Sequence, residues 1–274
     1  MDTKQAIIRS AVDIAERIEA STILLPDSYA HEQMEVETNI PVVVLPRQAS
    51  GLLYQIIPNH AEKEEVALEE RIRKIAVIGH LDGAIGGKVV GVIDTAEFDS
   101  IIVYDPKESP AVKSLAECEK LISPDVFRAV LKLGLELGLE GREGRHIGTA
   151  FIVGDEERVL AQSHQLLLNP FKGHATTDLL ITDKENWETF KEFAQLDGVF
   201  VVAGRGVVCA SGRYLDVDAR SVHIQQGLGG RHAASAAITA ETDAVAVVVS
   251  ESGVIRTYHD GKQILEIAPK EWAG

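Results

Sequence analysis

Residues 229–253 read GGRHAASAAITAETDAVAVVVSESG, and this stretch decides the fold of the second half of the chain. The glycine-rich QQGLGGRH leads into an alanine-rich run that reads as a helix, and Ala244–Ser250 with Val254–Tyr258 then form a pair of apolar, β-branched strands. A loop that feeds a helix has chemical meaning. Glycines let backbone approach an anion closely, the free N–H groups and dipole of the first helical turn favour it, and the Arg231 guanidinium can hold two phosphate oxygens at once. The same residues also fit a mobile surface loop with a solvated arginine. His232 either donates to phosphate or caps a core.

Working back from this stretch, the next feature is Asp197-Gly198-Val199, at the junction of a helix and a strand. Gly198 permits a sharp turn and leaves the carboxylate at the end of an element, where it can bind a divalent metal or accept a proton from a hydroxyl. A plain helix-stop turn is the alternative. The helix before it is expected to start at a capping box made by Thr182 and Glu185, with Trp187, Phe190 and Phe193 on its buried side. After it, Val199–Val202 and Val207–Ala210 read as a hairpin joined by AGRG. Further upstream, Ser123-Pro124 suits a helix start, Gly141 a helix stop, and Ile147–Val153 a strand.

The first half alternates helices with apolar strands. Ile7, Ile8, Ala11, Val12, Ile14, Ala15 and Ile18 recur at helical spacing, and strands follow at Thr22–Leu25 and Val42–Leu45. A second helix is expected over Glu64–Ile78, then strands at Lys88–Ile93 and Ser100–Val103. Apolar strands separated by helices imply a parallel sheet covered on both faces, hence an α/β domain over residues 1–122. ESPAVKSLAECEKLISP reads as the connector to a second domain, 123–274.

Charge sets a requirement. The 274 residues hold 27 Lys and Arg against 42 Asp and Glu, a net charge of -15, which repels nucleic acid. A nucleotide site in such a chain needs local relief. Between Asp197 and His232 four arginines (Arg205, Arg213, Arg220, Arg231) stand against three aspartates (Asp197, Asp216, Asp218), so this segment is locally positive. Cys118 and Cys209 lack metal-ligand spacing and suggest no disulfide framework, which fits a reducing cytoplasm. The apolar runs are too short to span a bilayer, and the first twenty residues are unlike a signal peptide. His174 and His223, without paired spacing, read as surface or structural residues.

Taken in order, these motifs resemble those of diadenylate cyclase domains. The Arg231-His232 pair opening an alanine-rich helix, Thr242-Asp243-Ala244 entering a strand that ends in Ser250-Glu251, the string LDGVFVV around Asp197, HIGTAFIVGD at 146–155 and NPFKGH at 169–174 together carry the likeness over about 124–267. The layout is similar to the archaeal branch. The resemblance implies a mixed central sheet flanked by helices, within an α/β chain, and an enzyme that joins two ATP into cyclic di-AMP. It further implies Asp197, Arg231 and His232 as catalytic residues, with Asp197 also holding Mg²⁺ or Mn²⁺. ATP would be bound by Gly198, Val199, Gly229, Gly230, Arg231, His232, Ser250 and Glu251, in a homodimer or higher symmetric oligomer with no nucleic acid or membrane partner. The chain departs from the family pattern at Val199, Gly230, Ala233 and Ser252. The lost arginine at 233 leaves open a weakly active or inactive sensor of ATP or cyclic di-AMP.

The first 50 residues, AVDIAERIEASTILL followed by IPVVVLP, resemble the C-terminal domain of pyruvate kinases in their helix-then-strand order. Asp82-Gly83-Ala84 repeats the Asp-Gly pattern but reads as a turn. A rival enzyme reading would use Asp82 or Asp94 as metal ligands in the first domain.

Overall fold

The computed structural model describes residues 3–29, 37–45, 86–94, 98–142 and 144–267. The expected helix at 64–78 and the turn at Asp82 lie outside them. The chain divides into two compact units, one ending at Lys113 and the other beginning at Ser114.

In the first unit, α1 (Thr3–Arg17) buries Ile8, Ala11, Val12 and Ala15, one face at i, i+3, i+4 and i+7. That face shares a core with Ile23 and Leu25 of β1 (Thr22–Pro26) and with Val90 and Val92 of β3 (Val89–Asp94). With β2 (Val42–Leu45) and β4 (Asp99–Tyr104) the sheet order is β2-β1-β3-β4. β1 runs parallel to both neighbours, but β4 pairs antiparallel with β3, so the expected parallel sheet is a mixed one. The cause is length. Only residues 95–98 join β3 to β4, and a parallel return needs a crossover of about a dozen residues or more.

The expected connector is a helix instead, α2 (Pro110–Leu121), which crosses the division between the units. Val112, Leu115 and Cys118 are buried at intervals of three, and that stripe turns a polar-looking segment into a packed element. Next comes α3 (Pro124–Glu140), with Ser123 at its N-cap position but no side-chain capping bond, and Gly141 closing it at φ 63°.

The second unit is a seven-stranded mixed sheet between helices. Its strands are β5 (Thr149–Val153), β6 (Ser163–Gln165), β7 (Val199–Val202), β8 (Val208–Leu215), β9 (Val245–Val249), β10 (Ile255–His259) and β11 (Lys262–Ile267), in the order β11-β10-β9-β5-β7-β8-β6. Only β5 and β7 are parallel. One face carries α6 (Gly230–Glu241), whose Ala236 and Ile238 share a core with Ala150, Ile152, Val199, Val201, Ala246 and Val248. The alternate residues point the other way, where Phe151 stacks on Phe200 at 4.8 Å and Gly134 of α3 backs onto Val247 and Val249. Period-two alternation, buried on both sides, explains why these strands read as continuous apolar runs. Two short helices complete the unit, α4 (Glu156–Ala161) and α5 (Trp187–Phe193).

Before α5 the capping differs from expectation. Asp183, not Thr182, accepts from the Glu185 amide at 3.0 Å and starts a 3-10 turn over Lys184–Asn186 that leads into the helix. An aspartate two residues before the free amide forms the tighter local ring. Trp187 and Phe190 are buried as expected, while Phe193 is half-buried and meets Phe171 edge-on at 5.3 Å. No helix among the described residues is long and apolar enough to cross a membrane.

Candidate active site

The sheet topology brings distant segments to one edge. β5 and β7 start there, and antiparallel β9 ends there: Thr149 pairs with Val249, while Phe151 pairs with Phe200, which puts Thr149 level with Gly198. One step beyond this row stand Gly148, Asp197 and Ser250. The N-terminus of α6 faces the same edge, and with Asp197 and Ser250 it lines a cavity of about 1030 Å³.

Every residue expected in the site lines that cavity. Asp197, Gly198 and Val199 come from the turn into β7; Gly229, Gly230, Arg231 and His232 come from the start of α6; Ser250 and Glu251 follow β9. The local chemistry is strict at Gly198. Its φ is 100°, and a Cβ there would lie 2.6 Å from the Arg213 carbonyl oxygen and 2.7 Å from the Arg213 nitrogen. Only glycine lets this turn press against β8 and leave Asp197 exposed at the rim.

Arg231 approaches from the other side. Gly148 is the seat for its guanidinium, because a Cβ at 148 would be 2.9 Å from Nη1 and 3.2 Å from Glu251 Cγ. Neither Arg231 nor Asp197 makes an ion pair or a side-chain hydrogen bond among the described residues. A cation and a carboxylate left without protein partners in one cavity are available to a ligand. Gly229 and Gly230 have nothing within 4 Å of where a Cβ would stand, so the first amides of α6, those of Gly230 and Arg231, are open to approach, while His232 N–H already donates to the Gly229 carbonyl at 3.0 Å.

His232 is different. It is 5% exposed, and its Nδ1 lies 3.0 Å from the Tyr258 hydroxyl. Burial, reinforced by Arg256 and Arg231, pushes its pKa down to about 4, so the ring is neutral at physiological pH. Ser250 is held by Ser252, Oγ to Oγ at 2.7 Å, and donates to the Val254 carbonyl at 3.0 Å.

The four arginines do not act together. Arg205 pairs with Glu156 and Arg220 with Asp218, both on the surface. Arg213 lines the cavity but spends its guanidinium on Ser163 Oγ at 2.8 Å and the Leu160 carbonyl at 2.8 Å, tying β8 to β6. A third cavity arginine lies outside the counted segment, Arg256 of β10, 12% exposed and paired with Glu266 at 2.9 Å. A strand position far along the chain gave no local signal. His174 and His223 are exposed, away from the cavity lining. Among the described residues no three His, Cys, Asp or Glu side chains gather as a metal cage. Asp94 of the first unit accepts a hydrogen bond from Ser28 and has Lys4 Nζ at 3.9 Å.

Comparison with known proteins agrees with this layout. Residues 136–263 match the family model described as DisA bacterial checkpoint controller nucleotide-binding, and residues 6–107 match one described as probable sensor domain DacZ_A, not a pyruvate kinase domain. The diadenylate cyclase of Methanocaldococcus jannaschii is 32% identical over 283 residues, covering 98% of this chain and 84% of that one. The diadenylate cyclase of Haloferax volcanii is 32% identical over 276 residues, covering 95% of this chain and 97% of that one. With its cavity built on Asp197-Gly198 and Arg231-His232, and with archaeal relatives aligned along nearly its whole length, the chain belongs to the diadenylate cyclase family.

Proposed function

We propose that the chain condenses two ATP into 3′,5′-linked cyclic di-AMP and two pyrophosphates, with residues 123–274 as the cyclase domain. The observation that carries this is the pairing in one cavity of an Arg231 guanidinium and an Asp197 carboxylate, neither with a side-chain partner among the described residues, beside the open N-terminus of α6. Each 3′-hydroxyl oxygen attacks the α-phosphorus of the other ATP, the bond to pyrophosphate breaks, and the hydroxyl proton leaves to a base. Arg231 and the α6 amides hold phosphate oxygens, with Gly198, Val199, Gly229, Gly230, Ser250 and Glu251 shaping the wall. Asp197 stands at the rim to take or orient the hydroxyl proton.

A Mg²⁺ or Mn²⁺ ion fits this donor set only in part. Asp197 offers one hard oxygen ligand and no protein cage exists among the described residues, so phosphate and water would complete the coordination. When bound, such an ion supplies charge neutralisation at the phosphates. Ring closure needs two nucleotides head to tail, which calls for two cyclase domains face to face, in a homodimer or a higher symmetric oligomer. The pyruvate-kinase likeness of the first residues rests on the order α1-β1-β2 alone and bears on fold only. A cytoplasmic setting suits a chain that uses ATP and has two unpaired cysteines.

Incubation with ATP and Mn²⁺, followed by chromatography of the products, tests the reading. Cyclic di-AMP is expected from the native chain and from Asp82→Asn, and none from Asp197→Asn. Arg231→Ala should weaken ATP binding by roughly ten- to a hundredfold, since charged hydrogen bonds to phosphate contribute about 1.5 to 3 kcal/mol. Stoichiometric ATP binding with no product would make the chain a sensor. Product lost in Asp82→Asn and kept in Asp197→Asn would move the site to the first unit.

A further inference from the structure

Tyr258 of β10 is buried beneath α6, and its hydroxyl has one hydrogen-bond partner among the described residues, His232 Nδ1 at 3.0 Å. The rings meet at 66°, with centroids 6.0 Å apart, so packing as well as the hydrogen bond fixes the imidazole plane. The second ring nitrogen, Nε2, has no protein partner among the described residues and is not sealed away, and the ring lines the cavity. One nitrogen is thus held by the protein and the other is offered to whatever fills the site.

A neutral imidazole carries its proton on one nitrogen only, and the partner of the other decides which. If Nδ1 carried the proton and donated to Tyr258, the tyrosine's own hydrogen would be buried with no acceptor among the described residues, which is the costlier arrangement. With Tyr258 donating, its buried hydrogen is satisfied, and the imidazole hydrogen lies on Nε2, the nitrogen that is not sealed away. We propose that Tyr258 is a positioning residue: its hydroxyl donates to His232 Nδ1, fixes the proton on Nε2, and so presents a neutral N–H donor to a phosphate oxygen. His232 then serves neither as a cation nor as the base that accepts the 3′-hydroxyl proton.

The surroundings hold this state across a wide pH range. Burial opposes a positive charge on the ring most, the charges of Arg256 and Arg231 oppose it further, and that of Glu266 favours it weakly. Tyr258 is pushed up to about 12 by burial, so its hydroxyl keeps its hydrogen. That the acceptor is a phosphate oxygen rests on the proposed function; the tautomer does not.

Nitrogen-15 NMR of the full chain with labelled histidine tests the tautomer without nucleotide, the His232 signals being assigned by their loss in His232→Gln. The expected spectrum shows protonated Nε2 and bare Nδ1, unchanged between pH 7 and pH 5.5. Tyr258→Phe keeps the ring packing, and should give mixed tautomers and ATP affinity weaker by about three- to tenfold. Among replacements of the histidine, His232→Gln should hold ATP better than His232→Asn, because the glutamine amide reaches the Nε2 position. Protonated Nδ1 or an imidazolium in the native chain at pH 7 would overturn the proposal, as would a Tyr258→Phe spectrum and affinity identical to native. The predicted spectrum in a chain that does not bind ATP would leave the positioning role standing and remove the nucleotide reading.

Discussion

Replacing Gly198 with alanine separates the backbone contribution to the site from that of its side chains. At φ 100° an L-residue is strained, which costs about 1 to 2 kcal/mol. The new methyl would meet Arg213 backbone atoms at 2.6 and 2.7 Å, and these cannot swing aside as a side chain would. Val199 pairs with Arg213, so β8 must yield and the β7–β8 pairing loosens, adding about 1 to 3 kcal/mol of overpacking. Together this predicts a loss of about 2 to 5 kcal/mol, a large part of the 5 to 15 typical of a domain. Gly230→Ala is the control. Its site is open and lies in the first turn of α6, so it should be neutral or up to about 1 kcal/mol more stable, while the added methyl obstructs an approaching phosphate and weakens ATP binding. Urea unfolding monitored by tryptophan fluorescence measures both, with the denaturant slope as a check on two-state behaviour. Gly198→Ala within about 0.5 kcal/mol of native, inside the ordinary range for harmless surface changes, would refute the contact with β8.

Two further outcomes follow from the ionisation states. The folded chain keeps His232 neutral down to about pH 4, while the unfolded chain takes up a proton below 6.5, so this stability is complete above 6.5 and is lost as pH falls through about 4. The loss between pH 7 and pH 5 should be about 2 kcal/mol larger in the native chain than in His232→Gln, as measured by urea unfolding, and equal losses would contradict the buried ring. Cys118 is buried in α2 and its thiol is pushed up to about 12 by that burial, whereas Cys209 is half-buried and raised less. A thiol reagent at pH 8 should label Cys209 slowly and Cys118 only when the chain opens, so rapid stoichiometric labelling of Cys118 in the native state would show that α2 is not packed as described.

What was legible in the sequence was whatever had a local signature. Asp197 and Arg231 announced themselves because a carboxylate before glycine and an arginine after glycines each sit at an element boundary, where side chains reach a ligand. The strands around them were legible because both their faces are buried. Long-range partners gave no such sign: Arg256 and Tyr258 look like ordinary strand residues until β10 is laid beside β9. Gly148 lies within HIGTAFIVGD, yet its role as the seat of Arg231 is a fact of packing alone. Some signals were present but unread. Asp260-Gly261, at φ 50° and 70°, is a two-residue hairpin turn that foretells β11, and the four residues after β3 foretell an antiparallel β4. The alanine at 233 is half-buried in the first turns of α6, and nothing among the described residues explains the loss of the family arginine it replaces.

The row of the sheet that joins Gly148, Asp197 and Ser250 has a temporal consequence. β5 and β9 are neighbours in space but are separated in the chain by roughly a hundred residues, and β9 must insert beside β5 before Arg231 finds its seat. A fragment that stops before β9 lacks Val248, Val249, Ser250, Glu251, Ser252 and Arg256 of the cavity wall. During synthesis, therefore, the nucleotide meets an incomplete wall until β9 and β10 have emerged, and its full stabilising effect is expected only once that long-range pairing is made. Binding competence should appear in a single late kinetic phase, together with the closure of the central sheet.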